Sequence, residues 1–218
     1  MQATNSASFA EQLQDVVTEY SNLRILYDGN GAPYLKGVLD VHDDERNVVG
    51  HFLIEVHCSE GFPYRFPALL EVGGEIPNKD DWHKYENNRC CITVLPDEII
   101  KCKHGISVST FVEKHAIPYL ANHIYKKLEG KYKNGEYAHG LPAWSQFYGE
   151  LMKTENKEKW MDYADMAFGK KKESCGRNDT CVCGSGLKFK NCHLKVLDSL
   201  RDIGEKEVYG FLNQLYVR

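Results

Sequence analysis

The chain has 218 residues, a formal net charge of −4 and 42% hydrophobic residues. A chain of this length can bury one substantial core, or one core and a small additional module. Its apolar runs stop far short of the roughly 20 residues that cross a bilayer, and it begins without the basic and apolar segments of a secretion signal. We therefore expect a cytoplasmic protein that binds neither membranes nor nucleic acid, in which the basic run at 170–172 is a solvated linker.

Eight cysteines in such a chain argue against a disulfide framework, because the cytosol keeps thiols reduced. In that setting clustered cysteines bind metal or take part in chemistry. The spacing separates a scattered group from a crowded one: Cys58, Cys90, Cys91 and Cys102 in the first half, and Cys175, Cys181, Cys183 and Cys192 near the end. We interpret Cys58 and Cys102 as small buried hydrophobic residues.

The first predicted element is an amphipathic helix that begins at Ser8. Ser8 and Glu11 form a capping-box pattern, which is typical of a helix N-terminus. Apolar residues then recur at steps of three and four positions, which places them on one helix face: Phe9, Leu13, Val16, Tyr20 and Leu23.

Strands follow the helix. The segments "YLKGVLDV", "VVGHFLIEVHC" and "ALLEVGGEI" are separated by turn signals, and the second alternates apolar with polar residues. This pattern predicts an antiparallel meander, interrupted by the two prolines of "FPYRFP". His51 and His57 share one face of the second segment, so we expect them to lie on the outer face of the sheet.

A polar, irregular stretch from Pro77 to Arg89 leads to the adjacent thiols Cys90 and Cys91 in "CCITVL". We expect this segment to emerge from a long loop, and not from a hairpin, and to continue as a strand through Ile92. Successive strand residues face opposite sides, so at most one of the two sulfurs needs to point inward.

Helices are predicted for the remainder of the first 150 residues. The segment "SVSTFVEKHAIPYLANHIYKKLEG" has helical periodicity, with Pro118 as a kink or as the boundary between two pieces. A further helix is predicted over "PAWSQFYGELM".

This order of elements resembles the ubiquitin-conjugating enzymes over roughly residues 7 to 150. Pro63 and Pro67 match the two prolines of that family's corner, and Cys91 followed by the aliphatic Ile92 matches its catalytic cysteine. The resemblance implies an α+β fold, a UBC-like antiparallel four-stranded meander with flanking helices, over residues 1–168. It also implies that Cys91 carries an acyl group.

The chain departs from that family at one site. The family's His-Pro-Asn triplet, whose Asn helps to stabilise the oxyanion, is missing, and His83 stands eight residues before Cys91 where the Asn would be. Bacterial relatives encoded in antiphage and ubiquitin-like conjugation operons often lack the triplet, and the chain resembles these most.

Acyl transfer by a thiol needs a thiolate and groups that raise its ionised fraction. The candidate catalytic residues are Cys91, His83 and His139, the last in a loop bracketed by glycines. Candidate accessory residues are Cys90, Arg89 and His104.

Near the C-terminus, "CVCGSGLKFKNCH" brings three thiols and one imidazole together: Cys181, Cys183, Cys192 and His193. Such a set closes a tetrahedral Zn²⁺ site with no open position, which indicates a structural ion. The stretch resembles the SEC-C zinc motif of the preprotein-translocation ATPase, a docking module. We predict a second domain over 169–218, with a linker, the zinc motif at 175–194 and one or two C-terminal helices.

The leading hypothesis is a ubiquitin-conjugating-like transferase of bacterial antiphage defence. The resemblance implies a donor, either the C-terminal tail of a ubiquitin-like protein or that of a cyclic-nucleotide synthase, and in some systems an activating enzyme. One alternative is a non-catalytic adaptor that recruits partners through the zinc module. Another, supported by the zinc tail alone, is a translocation accessory.

Overall fold

The computed structural model describes residues 2–133, 138–172 and 175–216, with side chains from residue 7 to 215. It shows an α+β protein with one four-stranded antiparallel sheet in strand order β1-β2-β3-β4. The strands are β1 Leu23–Tyr27, β2 Pro33–His42, β3 Val48–His57 and β4 Ala68–Glu71. The helices are α1 Gln2–Glu19, α2 Leu95–Cys102, α3 Val108–Phe111, α4 Ile117–Glu129, α5 Leu141–Met152, α6 Lys157–Ala167, α7 His193–Ile203 and α8 Glu205–Tyr216. Among the described residues, no helix has the length and apolar character that crossing a bilayer requires.

The described residues fall into two compact units. The first takes those within 1–93 and 101–136, and the second those within 94–100 and 137–218. The sequence predicts a domain boundary after residue 168. The structure instead divides the chain earlier, since residues from 137 onward belong to the second unit. Helices α5 and α6 share one buried core with α7 and α8, because Tyr148, Trp160 and Leu200 belong to the same cluster.

The sheet of the first unit has one covered and one open face, as antiparallel sheets commonly do. On β3, Phe52, Ile54 and Val56 are buried. The alternating residues form polar pairs on the open face, where His51 lies 2.7 Å from Asp40 and Lys36 lies 2.9 Å from Glu55. His57 also lies on this face, 2.8 Å from Glu55, so the expected outer placement of both histidines is confirmed.

The covered face packs against α1, α3 and α4. Phe9, Leu13 and Val16 of α1 are buried in this core, as the helical periodicity predicts. Two details of the prediction were wrong. The helix begins at Gln2, so Ser8 lies in its interior and its carbonyl accepts a hydrogen bond from the Gln12 side chain. Leu23 continues the helical spacing but opens β1, because the helix has already ended at Glu19.

Pro118 lies close to a change in helix type, as the sequence suggests. Residues Val112–Ala116 form a π-helical turn between α3 and α4, and Pro118 follows it in the first turn of α4. A proline lacks the backbone N–H that would continue an α-helical ladder, so a widened turn just before it is a common accommodation. The boundary expected at Pro118 is therefore confirmed as a local change within one continuous helical segment.

The chain between β4 and Cys91 is attached to the sheet by a buried ion pair. The Lys84 ammonium lies 2.5 Å from the Glu71 carboxylate at the end of β4, and both side chains are at most 1% exposed. The same ammonium donates to the carbonyl of Ile76, and the carboxylate accepts from the backbone N–H groups of Glu75 and Ile76. Every charge of the pair is thus hydrogen-bonded, which is the condition under which buried charges are tolerated.

The thiol pair follows a long irregular segment, as expected, and that segment ends in a short bridged turn. Lys84 pairs with Cys90 in an isolated antiparallel bridge, and Tyr85 accepts from the N–H of Asn88 across the intervening turn. Asn88 has φ 66°, a left-handed conformation that Asn adopts more readily than most residues. The strand predicted through Ile92 is absent, because the chain leaves the bridge after Cys90 and enters α2 at Leu95.

The second unit is helical. The helix predicted over "PAWSQFYGELM" is confirmed as α5, and the C-terminal segment forms the two helices α7 and α8 on either side of Gly204. Tyr148 stacks on Phe211 with ring centroids 4.7 Å apart, which joins α5 to α8. Helices α2 and α6 were not expected from the sequence. The basic run is partly neutralised, since Lys170 lies 2.8 Å from Glu205 and Lys171 lies 2.7 Å from Asp162.

The buried pair gives a first prediction. Lys84→Met should destabilise the first unit by about 3–5 kcal/mol, because it leaves the Glu71 carboxylate buried without its cation. A matched control is Lys127→Met, which breaks the exposed pair with Glu75, 2.8 Å apart, and should cost less than about 1 kcal/mol. Urea unfolding followed by amide hydrogen exchange within the first unit measures both, because the fluorescence of Trp82 overlaps with that of Trp144 and Trp160 in the second unit. Equal losses for the two variants would contradict the role given to the buried pair.

Candidate functional site

The two adjacent thiols differ in burial, as two successive residues of extended chain should. Cys90 is 7% exposed and belongs to the core of the first unit, whereas Cys91 is only partly buried. The Cys90 N–H donates to the carbonyl of Leu69 in β4 at 2.9 Å, which ties this residue to the sheet edge. The sulfur that reaches solvent is therefore that of Cys91.

Two neighbours define the surroundings of Cys91. Its N–H donates to the carbonyl of His83 at 2.7 Å, across the short turn. The phenol of Tyr85, which is 50% exposed, hydrogen-bonds with the Cys91 sulfur. That hydrogen bond, and burial as the second cause, raises the pKa of Tyr85 to about 12, so the phenol keeps its proton at neutral pH. The backbone of Cys91 is thus fixed by the His83 carbonyl, and its sulfur contacts the Tyr85 hydroxyl.

The Cys90 thiol has a different environment. Burial raises its pKa to about 12, although the interaction with the Tyr119 hydroxyl acts in the opposite direction. A thiol with such a pKa carries almost no thiolate at neutral pH, and the thiolate is the nucleophile. We therefore expect the sulfur of Cys90 to be a poor nucleophile in this fold.

Behind the turn lies a cluster of rings, the aromatic–histidine cluster, made of Trp82, Tyr119, His123 and Tyr132. The rings of Tyr119 and His123 meet edge-on at 4.4 Å, and Trp82 stacks on His123 at 6.0 Å. His123 is completely buried, and its Nδ1 lies 3.3 Å from the Tyr132 hydroxyl. Burial, followed by the charges of His83 and Lys126, lowers the pKa of His123 to about 3, so its ring is neutral.

The other predicted site residues of the first unit are scattered around the turn. His83 has φ 45°, and the contact it makes with Cys91 is through its backbone carbonyl. Arg89 is exposed at the end of the turn, where its charge lowers the pKa of Tyr85 against the larger raising effects. His104 is exposed in the turn after α2. Cys102 is fully buried, as expected, whereas Cys58 is only partly buried.

His139 lies in the second unit, at an exposed position just before α5, and its catalytic role stays a prediction. Sequence reasoning missed two tyrosines, Tyr85 and Tyr119, that contact the thiol pair. The signal for Tyr85 was present, since it precedes a Glu-Asn-Asn turn that folds back toward the cysteines. Tyr119 comes from a helix distant in sequence, and no local pattern places it here.

The second unit contains the predicted metal-ligand set. The four donor atoms of Cys181, Cys183, Cys192 and His193 all lie within 4.8 Å of one another. Sγ of Cys183 and Sγ of Cys192 are 3.5 Å apart, and Nδ1 of His193 is 3.2 Å from Sγ of Cys192. A tetrahedral ion with metal–sulfur bonds of about 2.3 Å and a metal–nitrogen bond of about 2.0 Å separates its ligands by about 3.5–3.8 Å. The set therefore has the size and the donor chemistry of a four-coordinate metal centre.

A carbonyl fixes the histidine of this set. Nε2 of His193 lies 3.3 Å from the carbonyl oxygen of Met152, at the end of α5. A carbonyl only accepts, so Nε2 carries the proton and the Nδ1 lone pair points to the three thiols. Burial lowers the pKa of His193, which favours the neutral ring that a metal requires. Tyr163 packs against the same ring at 4.7 Å.

The turn between the two pairs of ligands is made by small residues. Gly184 and Gly186 have φ of 81° and 72°, a region that costs glycine little. Ser185 between them places its hydroxyl 3.4 Å from Sγ of Cys192, and the same oxygen accepts from the N–H of Leu187 at 3.3 Å. The N–H of Cys181 donates to the Leu187 carbonyl, which closes the turn. The chain thus folds back on the ligand set within a few residues.

Comparison with known proteins identifies this part of the chain alone. A family model described as the SEC-C motif matches residues 177–195, which include all four ligands. No curated protein and no solved structure matches the chain.

The metal centre gives a second prediction. The purified full chain should hold one metal ion, and Cys192→Ser should lose it, because a hydroxyl is a much weaker ligand than a thiolate. Chelation should disorder the second unit more widely than its turn, since Cys181, Cys192 and His193 are nearly fully buried there. Elemental analysis checks the stoichiometry, and amide hydrogen exchange with and without chelator maps the loss.

Ser185→Ala is the matched control, because it removes a hydroxyl beside Cys192 and leaves every ligand in place. Metal-free native protein, or equal metal content in wild type and Cys192→Ser, would contradict the assignment.

Proposed function

We propose that the chain is a ubiquitin-conjugating-like acyl carrier and transferase, in which Cys91 accepts the C-terminal acyl group of a donor protein. The thiolate attacks the activated carbonyl carbon, a sulfur–carbon bond forms, and the bond to the donor's activating group breaks. An amine then attacks the thioester carbon, an amide forms, the amine proton passes to a base, and Cys91 leaves as a thiolate. The donor is the tail of a ubiquitin-like protein or of a cyclic-nucleotide synthase, activated by a separate enzyme, in bacterial antiphage defence.

The single observation that carries this proposal is the contrast between the two sulfurs. Cys91 is partly exposed on a backbone held by the His83 carbonyl, whereas Cys90 beside it is buried with a pKa near 12. A carrier thiol must be reachable and fixed, because a positioned nucleophile gains most of the benefit of an intramolecular reaction. The antiparallel meander with flanking helices agrees with the family resemblance.

The adaptor remains a second candidate, favoured by what lies at the Cys91 sulfur. The Tyr85 phenol, with a pKa of about 12, is a poor proton acceptor at neutral pH. The family's oxyanion-stabilising Asn is also replaced by His83. In an adaptor the same fold would bind a donor tail without forming a thioester.

We take the metal to be a structural Zn²⁺, because three thiolates and one imidazole fill a tetrahedron and leave no position for a substrate. Zn²⁺ would hold the turn closed and supply folding free energy to the second unit. Two apolar side chains of the turn, Val182 and Leu187, are 61% and 49% exposed, which suits docking of a partner. We place the protein in the cytoplasm, because the cytosol keeps thiols reduced, as a site of three thiolates requires.

The decisive experiment asks which sulfur carries an adduct. Co-expression with a donor protein and its activating enzyme should give a species that reducing agent releases, detected by non-reducing electrophoresis and intact mass. Cys91→Ala should abolish it, and Cys91→Ser should abolish it or leave a more stable oxyester. Cys90→Ala is the matched control and should keep at least partial activity, because its sulfur is buried.

An adduct that survives Cys91→Ala and disappears with Cys90→Ala would assign the chemistry to the other sulfur. Donor binding without any adduct, in the wild type and in all three variants, would favour the adaptor.

The role of His83 gives a further prediction. If its side chain stands in for the missing Asn, removing it should slow acyl transfer by about 10²–10³, the usual loss for one oxyanion donor. His83→Gly is the suitable variant, because the residue has φ 45° and alanine would add backbone strain. His83→Asn should restore much of the rate, since Asn tolerates this φ and supplies a donor. Single-turnover discharge to an amine measures both; equal rates in wild type and His83→Gly would end the assignment.

A further inference from the structure

The hydroxyl of Tyr119 is a second phenol that contacts the thiol pair. It donates to the carbonyl of His83 at 2.8 Å, the same carbonyl that accepts the N–H of Cys91 at 2.7 Å. The Tyr119 oxygen also interacts with the Cys90 thiol. One buried oxygen therefore touches the thiol of one cysteine and the backbone acceptor of the other.

The single proton of the Tyr119 hydroxyl is used in the hydrogen bond to the His83 carbonyl. A phenol has one donor and two acceptor lone pairs, and the His83 carbonyl can only accept. The Cys90 S–H in turn donates to the carbonyl of Asn88, with 4.0 Å between sulfur and oxygen. This arrangement suits a neutral thiol at Cys90. A thiolate there would need a hydrogen-bond donor, and the Tyr119 hydroxyl already donates to the His83 carbonyl.

Tyr119 itself has little freedom to move. It lies in the first turns of α4, is 7% exposed, and its ring meets the ring of His123 edge-on at 4.4 Å. His123 is braced by Trp82 on one side and by the Tyr132 hydroxyl at Nδ1. Among the described residues, Nε2 of His123 has no hydrogen-bond partner, so this ring is held by packing against its neighbours.

We propose that Tyr119 is a positioning residue that selects between the two sulfurs: its hydroxyl fixes the His83 carbonyl and covers Cys90, which leaves Cys91 as the sulfur presented to solvent. The selection adds to the proposed acyl chemistry, but it concerns the reactivity of thiols toward any electrophile. It can therefore be tested without a donor protein.

The test is competitive alkylation of the full-length native protein with iodoacetamide, followed by peptide mass mapping. Cys91 should be labelled much faster than Cys90 in the wild type. In Tyr119→Phe, labelling of Cys90 should rise by about three- to tenfold, the range expected for the loss of one hydrogen bond. The amide of Cys91 should exchange faster by a similar factor, because its acceptor carbonyl is less firmly held.

Two internal references separate positioning from general loosening. Cys102 is fully buried in the same core, so its labelling should not change in Tyr119→Phe. Tyr132→Phe is the matched control. It also removes a phenol hydroxyl from the cluster, but this hydroxyl lies against His123, so Cys90 should stay protected.

Three results would overturn the proposal. These are equal labelling of Cys90 and Cys91 in the wild type, unchanged labelling of Cys90 in Tyr119→Phe, or a parallel rise of Cys90 and Cys102. Each of them concerns thiol access alone, so the acyl-carrier proposal would still be decided by the adduct experiment. Absence of an adduct would in turn leave the labelling result intact.

Discussion

The buried ion pair between Glu71 and Lys84 is the constraint on which the thiol site depends. The end of β4 supplies the carboxylate, and the chain that leads to the cysteines supplies the ammonium 2.5 Å away. Two backbone N–H groups and one carbonyl complete the hydrogen bonds of the pair, so neither charge is left unsatisfied in the core. Lys84 is bridged to Cys90, and the next residue along the chain from Cys90 is Cys91. The position of the sulfur is therefore set by a contact made within the core.

From that anchor, backbone geometry separates two chemically identical side chains. Cys90 and Cys91 are adjacent, and in extended chain they must face opposite ways. The bridge to Lys84 and the hydrogen bond to Leu69 decide which way each one faces. Burial then raises the pKa of the inward thiol, while the outward thiol meets a hydroxyl and solvent. A difference in reactivity thus arises from position alone.

The second unit differs from the first, because metal-ligand atoms lie within its apolar core. Three of the four candidate ligands are nearly fully buried among apolar helices. Without an ion, two thiols and an imidazole in that position would be poorly solvated, and the Met152 carbonyl satisfies only one nitrogen. A bound cation would turn this cost into a source of stability, which is why metal content and the fold of this unit should vary together.

The sequence by itself determined what local spacing encodes. Local spacing predicted the α1 amphipathic face, the meander, a helical C-terminal segment and the four metal ligands, because strand alternation, helical periodicity and ligand spacing are properties of short segments. Together with the family resemblance, the place of Cys91 after a long polar loop also singled it out as a candidate nucleophile. The tertiary structure decided the rest. It ended α1 before Leu23, turned the chain into α2 after Cys90, and moved α5 and α6 into the unit that holds the metal ligands. It also brought Tyr119 to the cysteines and Lys84 to Glu71, pairs that are 29 or fewer residues apart in the chain but share no local repeat. Contacts of this kind depend on which surfaces the core buries together, and that is settled only when the whole unit packs.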